Sequence, residues 1–520
     1  MAQLTVLPGM DRFNRVLGCR ETFLAQIIRE ALSLACLAPS ILTAFQADID
    51  DAAKEAKKGR LMDEIWRAEA LPRFPGFLDS IDPSDFDSVH SSTFALFTGR
   101  PRSVEAELLL VLLVVDGVFS LTSVDGYERL VGSEVFQALV GDRPTPALST
   151  VGKYLGLVSA ETREKVHKAL YALVRDEGLD TFEELTVDST AIEANTAWPS
   201  ESALICGFLR RGHRLLQKQA EYTDVHYQSK LVERWLKEMD GLHREIGLLP
   251  SRPGSVAERK RLYSQLLVVA EKTRRKLREL LNRRQEEIID CCIRPTWRLR
   301  VDDMLQRIDD SLDEADRAMA SARQRVLLGQ SVPASEKVFS LADPDAYMIV
   351  KGQRDPVVGY RPQIGRSTEG FISCFEVNAG NPADSERLMP MFHTHCGNTG
   401  QKALAVSTDD GYTSADNLKQ LSDEGVQVVS FSGAKGRRLL GDDIYELDAC
   451  SLLRSERSSV ESTIFTFKHK MGMRRFCRRG LRGVQADLSS AVLAYNLWRL
   501  SYVRRRNAEG VSRPPLQQAA

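Results

Sequence analysis

The stretch EELTVDSTAIEANTAWPSES, residues 183–202, decides how this chain is to be read. Leu185 and Val187 alternate with Glu184 and Thr186, which is the two-residue period of a strand with one buried face, and the strand runs out at Asp188. A carboxylate at a strand end is either a turn or cap residue or a rigidly presented acid for metal or proton chemistry. Small polar residues follow, up to Trp198 and Pro199.

Outward from this stretch the periodicity changes twice. Residues 1–180 read almost entirely as helix, with breaks at 38–40, 71–77 and 98–103. SVEAELLLVLLVVDGVF, after Pro101, predicts a long buried helix, and several shorter ones follow up to residue 180, a pattern that suits a helix-turn-helix module or any small helical bundle. Residues 203–330 are again helical and strongly charged, and ERKRLYSQLLVVAEKTRRKLRELLNRRQEE carries one apolar face in arginine-rich surroundings. Beyond residue 355, strands (VVGYRPQIG, GFISCFEVNAG, KALAVSTDDGY, VQVVSFSG) alternate with helices (ADSERLMPMFHTHC, SADNLKQLSDEG). That alternation signals an α/β layer, to which the strand ending in Asp188 belongs, so the 203–330 helices read as an insertion into it.

A chain of 520 residues exceeds one ordinary core and predicts two to four domains. The net charge of -1 does not announce a nucleic-acid binder, but it hides a local asymmetry. Nine cysteines without a C-x-x-C pair, with Cys291 and Cys292 adjacent, give no disulfide or zinc framework and suit a reducing cytoplasm. The start lacks the basic flank and apolar core of a secretion signal, and LLLVLLVV at 108–115 falls short of the roughly 20 residues of a membrane span.

Two further acids stand out. KALAVST ends in Asp409 and Asp410 before Gly411 and Tyr412, and ligands of open α/β sheets sit at strand carboxyl ends, although Asp before Gly is also plain turn chemistry. In LLRSERSSVESTIFTFKHKMGMRR, residues 452–475, Leu453, Val460, Ile464, Phe467 and Met471 recur at helical spacing. At about 100° per residue, Arg457, Glu461 and Lys468 then fall within roughly 40° of one another. From Arg454 to Arg506 thirteen Lys or Arg oppose three acids, an excess that predicts a polyanion-binding face including Arg474 and Arg475.

These stretches together resemble the DDE transposases of bacterial insertion sequences, in their ISNCY-like branch. The resemblance is carried by VDSTAIEANTAWPSES, by 357–390, by STDDGYTSADNLKQL and by RSSVESTIFTFKHKMGMRRFCRRGLRGVQADLSSAVLAYNL. In that family the first Asp follows an opening strand, the second lies in a D-x-G-Y turn, and the Glu lies in a Y-x2-R-x3-E-x6-K helix. The resemblance implies Asp188, Asp409 and Glu461 as catalytic metal ligands, with Asp410 an alternative to Asp409, and Arg454, Arg457, Lys468, Arg474 and Arg475 as DNA contacts. Arg454 departs from the pattern, standing where the signature has tyrosine.

The implied fold is mixed α and α/β. A helical region at 1–100 and a helix-turn-helix-like module at 101–180 precede an RNase H-like catalytic domain at 181–202 and 340–480, which is interrupted by a helical insertion at 203–335 and followed by a helix and tail at 481–520. The implied chemistry uses two Mg2+ ions, with Mn2+ as substitute: Asp188 bridges them, Asp409 and Glu461 each hold one, and Arg457 and Lys468 clamp the phosphate while water frees a 3′-hydroxyl that attacks target DNA. The implied partners are double-stranded DNA, as element ends and target, and a second copy of the chain on DNA, with no membrane and a cytoplasmic, nucleoid-associated location. A nuclease without strand transfer, or a degenerate transposase that only binds DNA, would show the same residues. Trp198 is either a core residue, as most lone tryptophans are, or a platform for an unpaired base. His393, His395 and Cys396 lack a partner cluster and are assigned no metal.

Overall fold

The computed structural model describes residues 15–20, 22–65, 104–198, 200–222, 229–250, 252–289, 295–350 and 355–510. The breaks expected at 71–77 and 98–103, the Cys291–Cys292 pair, and the end of the tail lie outside the described residues. In chain order the chain forms α1 (Phe23–Leu37), α2 (Ser40–Ile65), α3 (Ala106–Phe119), α4 (Val124–Val131), α5 (Glu134–Val140), α6 (Leu148–Leu157), α7 (Ala160–Asp176), β1 (Glu184–Ser189) and β2 (Ile192–Glu193). Next come α8 (Glu201–Gln219), α9 (Lys230–Leu248), α10 (Val256–Ile289), α11 (Pro295–Ala322), β3 (Tyr347–Ile349), β4 (Val357–Tyr360), β5 (Gln363–Arg366) and β6 (Ile372–Glu376). The remainder is α12 (Asp384–Thr399), β7 (Ala405–Thr408), α13 (Ala415–Asp423), β8 (Val428–Phe431), α14 (Ala434–Leu440), α15 (Asp442–Tyr445), α16 (Asp448–Lys470) and α17 (Gly480–Ala508).

The chain divides into two compact units, one of Met1–Asp51, Pro101–Asn195 and Asp345–Ala520, the other of Ala52–Arg100 and Thr196–Pro344. The first unit holds a five-stranded sheet in the order β6-β5-β1-β7-β8. β1 is central: it runs antiparallel to β5, which forms a hairpin with β6, and parallel to β7, which is parallel to β8. Every residue of β1 after Glu184 is buried, so the single buried face expected from the alternation is wrong. The reason is a helix on each side. Leu185 and Val187 join one apolar cluster with Leu388, Met391 and Phe392 of α12. On the other face the Ser407 hydroxyl donates to the Leu453 carbonyl of α16 at 3.3 Å and Ser430 to that of Cys450 at 3.2 Å.

A second sheet, in the order β2-β4-β3, closes the first unit's strand system. Behind the strands, α3 is buried along most of its length, and Asp116 within it meets Arg478, whose guanidinium also pairs with Asp487 of α17. This buried triad joins α3 to α17.

The second unit is helical, and its core is drawn from α8, α9, α10 and α11, from Leu204 to Ala322. The arginine-rich run in α10 is spent largely inside this unit: Arg274 pairs with Asp316, and Arg278 with Asp309 and Asp313, all on α11. Among the described residues of the chain, no helix is long and apolar enough to cross a membrane.

Candidate active site

Register brings the first two predicted acids together. Val187 of β1 pairs with Thr408 of the parallel β7, so the next residues, Asp188 and Asp409, stand abreast at one end of the sheet. Asp188 is 6% exposed, and one of its oxygens accepts from the Ser189 amide at 2.7 Å. Its parity along β1 is that of Thr186, opposite to Leu185 and Val187, which directs it away from α12 and toward α16.

The turn after β7 separates the two adjacent aspartates. Asp409 accepts from the Gly411 amide at 2.9 Å within the turn itself. Asp410 faces elsewhere and caps α14, accepting from the amides of Lys435 at 3.2 Å and Gly436 at 2.9 Å. Gly411 is held small by its neighbours, since a Cβ there would lie 2.8 Å from Asp384 Oδ2 and 3.0 Å from Asp409 Oδ1. Tyr412 is buried and its hydroxyl donates to Gln363.

α16 is a helix, as its apolar spacing predicts, with Leu453, Val460 and Phe467 buried. Arg457 lies between two acids, 3.8 Å from Asp188 and 3.6 Å from Glu461. Glu461 itself is 66% exposed. Lys468 donates to the Ala191 carbonyl at 2.7 Å, tying α16 to the link between β1 and β2. Arg454 stacks over the Tyr445 ring at 3.9 Å and bonds that residue's carbonyl. Arg474 contacts the His469 ring nitrogen, and Arg475 donates to the Ala194 carbonyl at 3.1 Å.

The single basic face expected from residues 454–506 is not what the chain builds. Arg478 is consumed by Asp116 and Asp487, Arg504 by Glu30 and Glu177, and Arg506 by Glu369 at 2.7 Å. Asp116, Glu30, Glu177 and Glu369, acids distant in sequence that a local charge count omits, take up these three of the thirteen bases. Trp198 is also unlike the expectation of a core residue, being 63% exposed.

Sequence reasoning missed a fourth carboxylate. Asp384, 6% exposed in the first turn of α12, pairs with Arg361 and accepts from Gln363 at 3.0 Å, while Arg361 reaches the Ser189 hydroxyl at 3.1 Å. Burial first, and then the charges of Asp384, Asp188 and Asp409, push the Tyr412 phenol well above its ordinary value, opposed by Arg361. An acid in a helix's first turn is so ordinary that its spacing gives no warning. His395 is buried between the Ser373 hydroxyl at 2.7 Å and the Phe182 carbonyl at 2.9 Å, whereas His393 faces Glu424 at 3.4 Å.

The arrangement offers hard carboxylate oxygens at the mouth of a sheet and a guanidinium beside them, a combination suited to a divalent cation and a phosphate. Among the described residues no three His, Cys, Asp or Glu side chains are grouped closely enough to hold a metal ion, and Glu461 is exposed beside Arg457. Residues 349–497 match the family described as the transposase DDE domain. No curated protein and no solved structure matches the chain.

Proposed function

From a chain whose residues 349–497 match the transposase DDE domain family, we propose an enzyme that cleaves DNA at the ends of an insertion sequence and transfers the freed strand into target DNA. The observation that carries this reading is the pairing of Asp188 with Asp409 at the ends of parallel β1 and β7, with Arg457 of α16 facing the first. Asp188 lies outside the matched segment and is joined to it by this sheet and by Arg457. The strand order, with β1 central, a hairpin to one side and two parallel strands to the other, supports the RNase H-like fold that the resemblance implies.

The donor chemistry fits Mg2+ or Mn2+, with Asp188 and Asp409 as the inner pair and Glu461 as the third ligand. When bound, such a cation supplies charge neutralisation at phosphorus and activates water. The chain's own residues set the stage. Arg457 presents a planar fork to a phosphate, whose oxygens replace Asp188 and Glu461 as its partners. Lys468 holds α16 in register against Ala191, and the phosphate contact implied for it requires release of that carbonyl. Asp384, through Gln363, fixes the Tyr412 turn that carries Asp409, and through Arg361 it reaches Ser189 beside Asp188.

The test is metal-dependent cleavage of an element-end duplex by the wild type and by Asp188→Ala, Asp409→Ala, Asp410→Ala and Glu461→Ala. Three of the variants should bind duplex yet lose more cleavage than the roughly 10–100-fold typical of removing an outer-shell partner, and Asp410→Ala should still cut. Cutting at the wild-type rate by folded Asp188→Ala would end the reading. A strand-transfer assay on the same substrate separates a transposase from a nuclease.

A further inference from the structure

The buried stripe of α16 consists of Leu453, Val460, Thr463 and Phe467. Phe465 lies off that stripe, 62% exposed, where an apolar ring is stabilised by nothing in the fold's core. Its position is not arbitrary. Phe465 follows Glu461 by four residues and Arg457 by eight, so the three share one side of the helix, and Phe465 stands about 6 Å along the axis from Glu461. The exposed side continues one turn further. The His469 ring stacks on Phe465 with centroids 4.1 Å apart and planes 25° from parallel, and Arg474 contacts the imidazole from beyond.

We infer that Phe465, backed by His469, is the surface on which an unpaired base of the DNA strand stacks next to the scissile phosphate. The inference rests on the proposed function. Every base has a π-face, so an exposed flat ring flanked by cations holds an unpaired nucleotide without reading its sequence. That separation of about 6 Å is within two base steps of roughly 3.4 Å each, so a base on Phe465 places its neighbouring phosphates level with Glu461, while Arg457, eight residues away, stands about 12 Å along the axis, within four such steps. The two-ring stack gives the Phe465 ring a partner before a base arrives, which lowers the ordering cost of binding. Phe465 is thus a positioning residue, and the strand end, not the intact duplex, is its occupant.

Binding of a blunt duplex and of the same duplex with a short single-stranded 3′ overhang carrying 2-aminopurine should be measured for the full-length wild type, Phe465→Ala and Phe465→Trp. The wild type should prefer the overhang and quench 2-aminopurine. Phe465→Ala should bind blunt duplex as before while losing the quench and about 5- to 150-fold of the overhang preference, the range for one base–aromatic stack; Phe465→Trp should restore both. Unchanged preference and quench in Phe465→Ala overturns the stacking role while leaving the transposase reading intact. Failure of the wild type to bind either duplex overturns both. Loss of a dimer in sedimentation by Phe465→Ala, with overhang binding unaltered, would make the ring a contact between copies and also overturn it.

Discussion

Asp409 and Asp410 show how one residue's shift along a turn changes its chemistry. Asp409 leaves β7 abreast of Asp188, while Asp410 satisfies two amides at the start of α14. Removing the second should therefore act as removal of a helix cap does. Asp410→Ala is expected to lose about 0.5–2 kcal/mol of stability, measured by urea unfolding. A loss outside that range in either direction would mean the contacts with Lys435 and Gly436 are not what holds α14. The histidine beside the sheet carries a pH prediction. Burial drives the His395 imidazole from 6.5 down to about 4. Its folded value is depressed, so the neutral ring's stabilisation is fully present above the unfolded value and is lost as pH falls through the folded one. Stability should decline between pH 6.5 and 4 by on the order of 3 kcal/mol from this residue. Buried His167, depressed to about 3, adds in the same direction. A His395→Gln variant should therefore show a shallower, not a flat, acid limb, and an unaltered slope would refute the assignment.

At the scale of elements, the contact between α3 and α17 depends on one missing side chain. A Cβ on Gly117 would lie 2.1 Å from the Ser490 carbonyl oxygen, a backbone atom that cannot swing aside. Gly117→Ala should then cost about 1–3 kcal/mol or more by forcing the helices apart. Gly152 of α6 has nothing within 4 Å of the same construction, so Gly152→Ala should instead gain up to about 1 kcal/mol from helix propensity. Equal melting temperatures for the two variants would show that the close approach is not tight. The elements themselves were legible where one period dominates. β1, β7 and α16 followed from alternation or from helical spacing, and the end-of-strand position of Asp188 and Asp409 followed with them. What pairs with what was not legible. The burial of both faces of β1 needs α12 and α16, which lie some two hundred residues or more downstream, and the fate of Arg478 and Arg504 needs Asp116, Glu30 and Glu177 from the other end of the chain. Asp384 and Arg361 escaped for the same reason, since their meaning lies in contacts across the sheet end, not in spacing.

For the whole molecule, the small sheet explains how a long helical segment is accommodated without breaking the strand system. Glu193 of β2 and Tyr347 of β3 both pair with Gly359 of β4, so they stand two strand spacings apart, about 9.5 Å. The chain departs two residues beyond the first and returns two residues before the second. Both strands run antiparallel to β4, which adds about 13 Å along the strand direction, for a total span of roughly 16 Å. A flexible Gly/Ser linker of about ten residues has a root-mean-square length near 17 Å and matches that span. The segment 196–344 also has a core of its own, drawn from Leu204 to Ala322. Replacing it with such a linker should leave the first unit folded, with one cooperative thermal transition and the near-ultraviolet circular dichroism of its buried tyrosines, Tyr171, Tyr360 and Tyr412. The excised segment, expressed alone, should be helical and melt cooperatively. If the shortened chain shows no cooperative transition at any tested linker length, β2 and β3 are held in place by the inserted helices and not by β4, and the sheet is a consequence of the insertion and not its frame.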